Sequence, residues 1–259
     1  MNSGFTKFFK IETGVQQRDL PSPFFFLLVI DFVLRKITGE TDHGIEWKEA
    51  LKLTDLDFSD DLALLDHQCH WMQGLTDKLV ESAGRVGLRI SNTKTKIQKF
   101  LNLPDDSDIV LNNTPLEDVD SFQYLGSTVS RSGDIDREIT SRIGKGSAVF
   151  RSMQSVWSSK SISRKIKLRL YNSIVLKTVL HACETWKSTK KTQCQLDVFN
   201  MRCLRRILNI SLRDRITNET ILQMANSRPL SEYITDSRIK FTGHLLRLPQ
   251  SRHARTAAD

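Results

Sequence analysis

Between Pro21 and Ile37 the apolar residues Phe24, Leu27, Leu28, Phe32 and Leu34 recur at helical spacing, which predicts one amphipathic helix. Pro21 and Pro23 suit its first turn, where a missing N–H costs nothing. Asp31 on this helix reads as a hydrogen-bond partner for a neighbouring helix, and Gly39 and Gly44 break the pattern. Two apolar stretches follow, Leu51–Phe58 and Leu62–Leu65, each too short for a helix; with Ser59, Asp60 and Asp61 between them they predict a hairpin. A helix is expected from His67 to Val86 with Trp71, Met72, Leu75, Leu79 and Val80 on one face, ended by Gly84 and Gly87. Short strands are expected near Leu88–Ile90, Thr95–Leu101, Ile109–Leu111 and Phe122–Val129.

Beyond about residue 133 the period becomes helical throughout. Asp134 is placed to cap a helix running towards Val156, and Ser163 to cap one carrying Ile166, Leu168, Leu170, Ile174 and Val175. Further helices are expected over Thr192–Leu208, from Thr217, and over Leu230–Leu248, with the last ten residues disordered. No internal repeat or low-complexity tract is visible.

Composition adds one useful contrast. The chain has 259 residues, 39% hydrophobic and 26% charged, which is globular rather than disordered. Its net charge of +8 is unevenly placed: residues 1–130 carry 13 Lys+Arg against 20 Asp+Glu, residues 131–259 carry 25 against 10. A strongly basic half points to nucleic-acid contact, with a solvated helical face as the plainer alternative. Arg202, Arg205 and Arg206, with Arg213 and Arg215, form the densest basic cluster. Cys69, Cys183, Cys194 and Cys203 follow no CxxC spacing, so buried thiols in a reducing, intracellular compartment (nucleus or cytoplasm) are expected. The run Phe24–Ile30 is far shorter than the roughly 20 residues of a membrane span. His67, Cys69 and His70 lack the fourth partner that a zinc site requires.

The candidate chemistry lies in LTDLDFSDDLALLDH, Leu53–His67. A hairpin tip bearing Asp60 and Asp61 is a suitable mount for Mg²⁺, a hard ion that takes one or two carboxylates plus substrate phosphates. Two-metal nucleotidyl transfer, with ions about 4 Å apart, needs a further carboxylate from elsewhere. Taken alone, such a pair is more often a solvated turn. Asp55, Asp57 and Asp66 are poorly placed to complete it, by strand alternation and by distance from the turn.

The order of the neighbouring segments changes that balance. GVQQRDLPSPFFFLLVID (Gly14–Asp31), LTDLDFSDDLALL, GLRISNTKTK (Gly87–Lys96) and FQYLGSTVS (Phe122–Ser130) resemble, in order, motifs B, C, D and E of the reverse transcriptases of non-LTR retrotransposons, especially the RTE and jockey-like groups. Downstream, RIGKGSAVF, VLHACETW, RCLRRILNI and GHLLRLP resemble the thumb and C-terminal helices of these elements. The resemblance implies an α/β fold: a partial right-hand palm over residues 1–130, a helical thumb over 131–210 and a helical extension over 211–259. It implies RNA-directed DNA polymerisation on an RNA template and DNA primer, with deoxynucleotides as substrate and Mg²⁺ as cofactor. By the same resemblance Asp60 and Asp61 are metal ligands, and Phe58 packs beneath their turn. Gln17, Ser22 and Pro23 line the nucleotide and template, and Lys94 protonates the pyrophosphate leaving group. Tyr124, Leu125 and Gly126 form the primer grip, while Arg202, Arg205 and Arg206 belong to the basic helices that hold the nucleic-acid backbone.

Departures accompany the matches. Motif A should precede motif B, yet only 13 residues lie before Gly14. Arg18 stands where the motif has glycine, Pro21 where it has leucine, and His181-Ala182-Cys183 replace a more typical Tyr-Gly-Ala. A long cation at Arg18 would crowd a close backbone approach. The expectation is a truncated copy, inactive alone.

Overall fold

The computed structural model describes residues 19–39, 44–46, 52–100, 107–133, 135–187, 189–250 and 252–256. Over these residues, helices alternate with small two-stranded antiparallel pairs before the chain turns helical. Two units divide it, residues 1–125 and 126–259.

The first unit opens with α1 (Ser22–Thr38), which has Pro21 at its N-cap and Pro23 in its first turn. Strands β1 (Ile45–Glu46) and β2 (Lys52–Leu53) pair, then β3 (Asp55–Phe58) and β4 (Asp61–Leu64), followed by α2 (Cys69–Arg85). A third pair, β5 (Val110–Leu111) with β6 (Thr114–Pro115), precedes β7 (Ser121–Tyr124). Helices α1 and α2 pack together, with Val33, Leu34, Ile37, Leu75 and Ala83 buried. The Gln73 amide of α2 fixes β5 as a strand neighbour would: its Oε1 accepts from Val110 N at 2.7 Å and its Nε2 donates to Val110 O at 2.9 Å. Gly84 lies inside α2; the chain leaves the helix at Val86 and Gly87, whose φ is +79°.

Several expectations for this unit require correction. The face of α1 that is buried carries Ser22, Val33, Leu34 and Ile37, whereas Phe24, Leu27, Leu28 and Phe32 are each at least half exposed. Asp31 pairs within its own helix, accepting from Arg35 Nε at 3.0 Å. Leu88–Ile90 is irregular, because the Leu88 N–H is bound to Ala83 O at the end of α2. In the predicted strand from Thr95 only Ile97 pairs, in a single parallel bridge to Asp118; Leu101 lies outside the described residues.

The second unit begins with β8 (Ser127–Ser130) and continues through α3 (Ile135–Ser152), α4 (Gln154–Ser158) and α5 (Arg164–Leu170). A π-helical turn, Tyr171–Val175, leads into α6 (Leu176–Val179). Then come α7 (Lys190–Leu208), α8 (Asn218–Met224), α9 (Leu230–Leu246) and α10 (His253–Thr256), with single 3₁₀ turns at Cys183–Thr185 and Leu212–Asp214. Ser163 and Thr217 cap α5 and α8, each accepting a backbone N–H from its own first turn, and Thr189 closes a capping box with Thr192 on α7. The core joins Tyr171, Val179, Leu196, Phe199, Leu204 and Ile221. Gly146 lets α3 approach it, since a Cβ there would overlap Val179 Cγ2.

The helix expected from Asp134 to Val156 breaks between Ser152 and Gln154; the Asp134 cap lies outside the described residues. Buried Lys167 stabilises the end of α4, donating from Nζ to Trp157 O and Ser159 O, both at 2.7 Å. The last ten residues include α10 rather than being wholly disordered. No helix among the described residues is long and apolar enough to cross a membrane.

Candidate functional site

The Asp-Asp segment forms a two-residue hairpin turn. Asp55 opposes Leu64, Leu56 opposes Ala63, Asp57 opposes Leu62, and Phe58 opposes Asp61, leaving Ser59 and Asp60 as the loop. Ser59 has φ +58° while Asp60 does not, as a II′ turn requires of its first position. Paired residues share a face and successive residues along a strand do not, so Asp61 lies with Phe58, Leu56 and Ala63, while Asp57 and Asp55 take the other face. Asp60 and Asp61 are both exposed. Phe58 does not pack beneath the turn: it is 64% exposed, because the cross-strand neighbours on its face are only Asp61 and, diagonally, Ala63.

Two of the neighbouring carboxylates are separately engaged. Thr54 Oγ1 donates to Asp55 at 2.7 Å, and Asp66 accepts the Gln68 N–H at 2.9 Å just before α2, with its Oδ2 buried. Among the described residues no group of three or more His, Cys, Asp or Glu side chains could hold a metal ion. Two exposed carboxylates fit one Mg²⁺ completed by substrate phosphates and water; they do not fit a closed protein cage.

Two of the sequence-predicted groups meet here. Tyr124 of the YLG segment donates its hydroxyl to Leu56 O at 3.0 Å, tying the end of β7 to the Asp-Asp hairpin. Burial and, after it, the carboxylates of Asp57 and Asp61 push the Tyr124 phenol above its ordinary value, so the hydroxyl stays protonated and donating. Leu125 and Gly126 then turn the chain, both left-handed with φ +49° and +81°. Other predicted residues remain apart. Lys94 is exposed in the turn after Ser91 and forms no ion pair with either aspartate. Ser22 is buried and Pro23 exposed in the first turn of α1, and Gln17 lies outside the described residues.

In the second unit the three arginines diverge. Arg202 and Arg206 are exposed on α7, but Arg205 braces the following segment, donating to Ile216 O at 2.8 Å and Asn218 Oδ1 at 3.1 Å. Of the thiols, Cys69, Cys183 and Cys203 are buried and Cys194 is exposed. Burial raises the Cys183 thiol and pushes Cys203 up to about 12.

Sequence reasoning missed the polar centre of this unit. Glu138 and Arg142, 2% and 5% exposed, pair at 2.6 Å on α3. Arg142 Nη2 also donates to Gly126 O at 2.6 Å and lies 3.1 Å from His181 Nδ1, while Glu138 accepts the Thr128 N–H at 2.8 Å. The Glu-Arg spacing of four was visible in the sequence, but such pairs are usually solvated.

No protein-family profile matches the chain. A Caenorhabditis elegans protein described as uncharacterized and transposon-derived is 27% identical over 208 residues, 77% of this chain and 74% of the relative. That likeness suggests a transposon origin.

Proposed function

We propose that this chain is part of a retrotransposon reverse transcriptase, an RNA-directed DNA polymerase of the non-LTR type, and that by itself it does not extend a primer. The observation that carries the reading is the Tyr124–Leu56 hydrogen bond, which joins the YLG segment to the Asp-Asp hairpin. Two segments that resemble polymerase motifs, 68 positions apart, are thereby in contact, which supports the reading. The transposon-derived relative supports the same origin.

Asp60 and Asp61 offer oxygen ligands at an exposed tip, and Mg²⁺ bound there would neutralise and orient the phosphates of a deoxynucleotide. Lys94 is exposed and can deliver a proton to a leaving pyrophosphate brought to it. Primer extension on an RNA template with Mg²⁺ or Mn²⁺ should give no product; product abolished by Asp60→Asn would overturn that part. Mn²⁺ with deoxynucleotide should broaden NMR signals around Asp60 in the intact chain but not in an Asp60→Asn/Asp61→Asn variant. Equal broadening in both would overturn the polymerase reading.

A second reading, nucleic-acid binding without catalysis, is favoured by the exposed Arg164, Lys165 and Arg169 of α5. Affinity for an RNA–DNA duplex should then fall steeply with salt, and a flat salt dependence would sink this reading.

A further inference from the structure

We propose that the groove between α3 and α7 docks an acidic amphipathic helix of a partner protein, a role beyond the polymerase reading. The groove encloses about 1240 Å³, as much as about three turns of a helix of ~10 Å diameter. Along α7 its lining includes Lys190, Cys194, Val198, Arg202 and Arg206, whose four-residue intervals make one inclined ridge along the helix. That ridge runs for ~24 Å at 1.5 Å per residue.

Three features select the occupant. The first is charge. Arg151, Lys190, Arg202 and Arg206 line the groove with no ion pair among the described residues, and the one lining carboxylate, Asp197, accepts the Leu230 N–H at 3.2 Å. The second is exposed apolar surface: Val198 is 53% exposed and Leu212 80%, in a groove also lined by Met201 and Ile210. An amphipathic helix with acidic flanks satisfies both at once, its apolar stripe over Val198 and Leu212 and its carboxylates at the cationic ends.

The third feature argues against a nucleic-acid strand. Sequence-tolerant strand binding relies on aromatic faces for base stacking. The aromatic rings lining this groove belong to Phe150 and Phe199. Phe150 is already stacked on Trp157, centroids 5.0 Å apart, and meets Tyr171 edge-on, while Phe199 is buried in the core.

The test is fluorescence anisotropy with the full chain. The probe is a labelled peptide of about 18 residues, long enough for the ridge, with Leu at i, i+3, i+4 and i+7 and Glu elsewhere. A scrambled peptide of identical composition and a single-stranded RNA 12-mer serve as competitors. The ordered peptide should bind at least tenfold more tightly than the scrambled one. Val198→Glu and, separately, Arg206→Glu should each weaken it at least tenfold, with far-UV circular dichroism unchanged. Equal binding of the scrambled peptide, or insensitivity to both variants, would overturn the proposal. Displacement of the peptide by the RNA, with RNA binding itself lost in Val198→Glu, would assign the groove to nucleic acid instead.

Discussion

Replacing Arg142 by Met would strip the buried Glu138 carboxylate of its ion pair. Glu138 is 2% exposed and would keep only its hydrogen bonds from Thr128, whose N–H lies at 2.8 Å. Removing one partner of a buried pair costs about 3–5 kcal/mol, because the remaining charge is left desolvated. Gly126 O and His181 Nδ1, also released, belong to exposed residues, where water can replace the lost donor, so the lower end, about 3 kcal/mol, is expected. For a chain of this size that corresponds to a Tm lower by about 6–12 °C. The pH dependence checks the cause. In the native protein burial alone would raise the Glu138 carboxyl, but hydrogen bonds from Thr128 and Arg142 outweigh it and hold the group below its ordinary 4.5. Its contribution is therefore complete above pH 4.5 and is lost as pH falls through the lowered value. In Arg142→Met burial wins, the carboxyl is raised, and acidification relieves the unpaired charge. Urea unfolding by circular dichroism should show a gap between native and variant that narrows from pH 7 to pH 4. A gap under about 1 kcal/mol at pH 7, or one that does not change with pH, refutes the reasoning; so does failure of Glu138→Met/Arg142→Met to recover much of the loss.

Three further outcomes follow from the same structure. Gly146→Ala should destabilise by about 1–2 kcal/mol, the overlap with Val179 exceeding the helix-propensity gain, and an unchanged urea midpoint would contradict that packing. Iodoacetamide at pH 8 should label Cys194 first, since Cys203 is buried with its thiol pushed up to about 12 and Cys69 and Cys183 are also buried; mass spectrometry showing early modification of Cys203 would count against this core. Tyr124→Phe should cost about 1 kcal/mol and speed amide exchange in β3 and β4, and unchanged exchange there would deny the anchoring role of the hydroxyl.

Local signals were the most legible. A hairpin turning at Ser59, Asp60 and Asp61 was legible, although Asp61 proves to be the first residue of β4 rather than part of the loop, and Ser163, Thr217, Pro21 and Pro23 marked helix starts within a residue or two. Each of these rests on backbone chemistry within a few residues, so sequence alone determines it. The choice of buried face on α1 does not. Its first three turns are apolar nearly all round, and only the packing of α2 decides that Val33, Leu34 and Ile37 go inside while Phe24 and Phe32 stay outside. The same holds for charge. A basic second half was countable in the sequence, but which cations are engaged was not. Arg142 is buried on Glu138, Arg205 braces backbone, and Arg202 and Arg206 remain on an open groove. Spacing along a chain fixes which residues share an element; the free energy of a charge or a phenyl ring depends on what a distant element places against it.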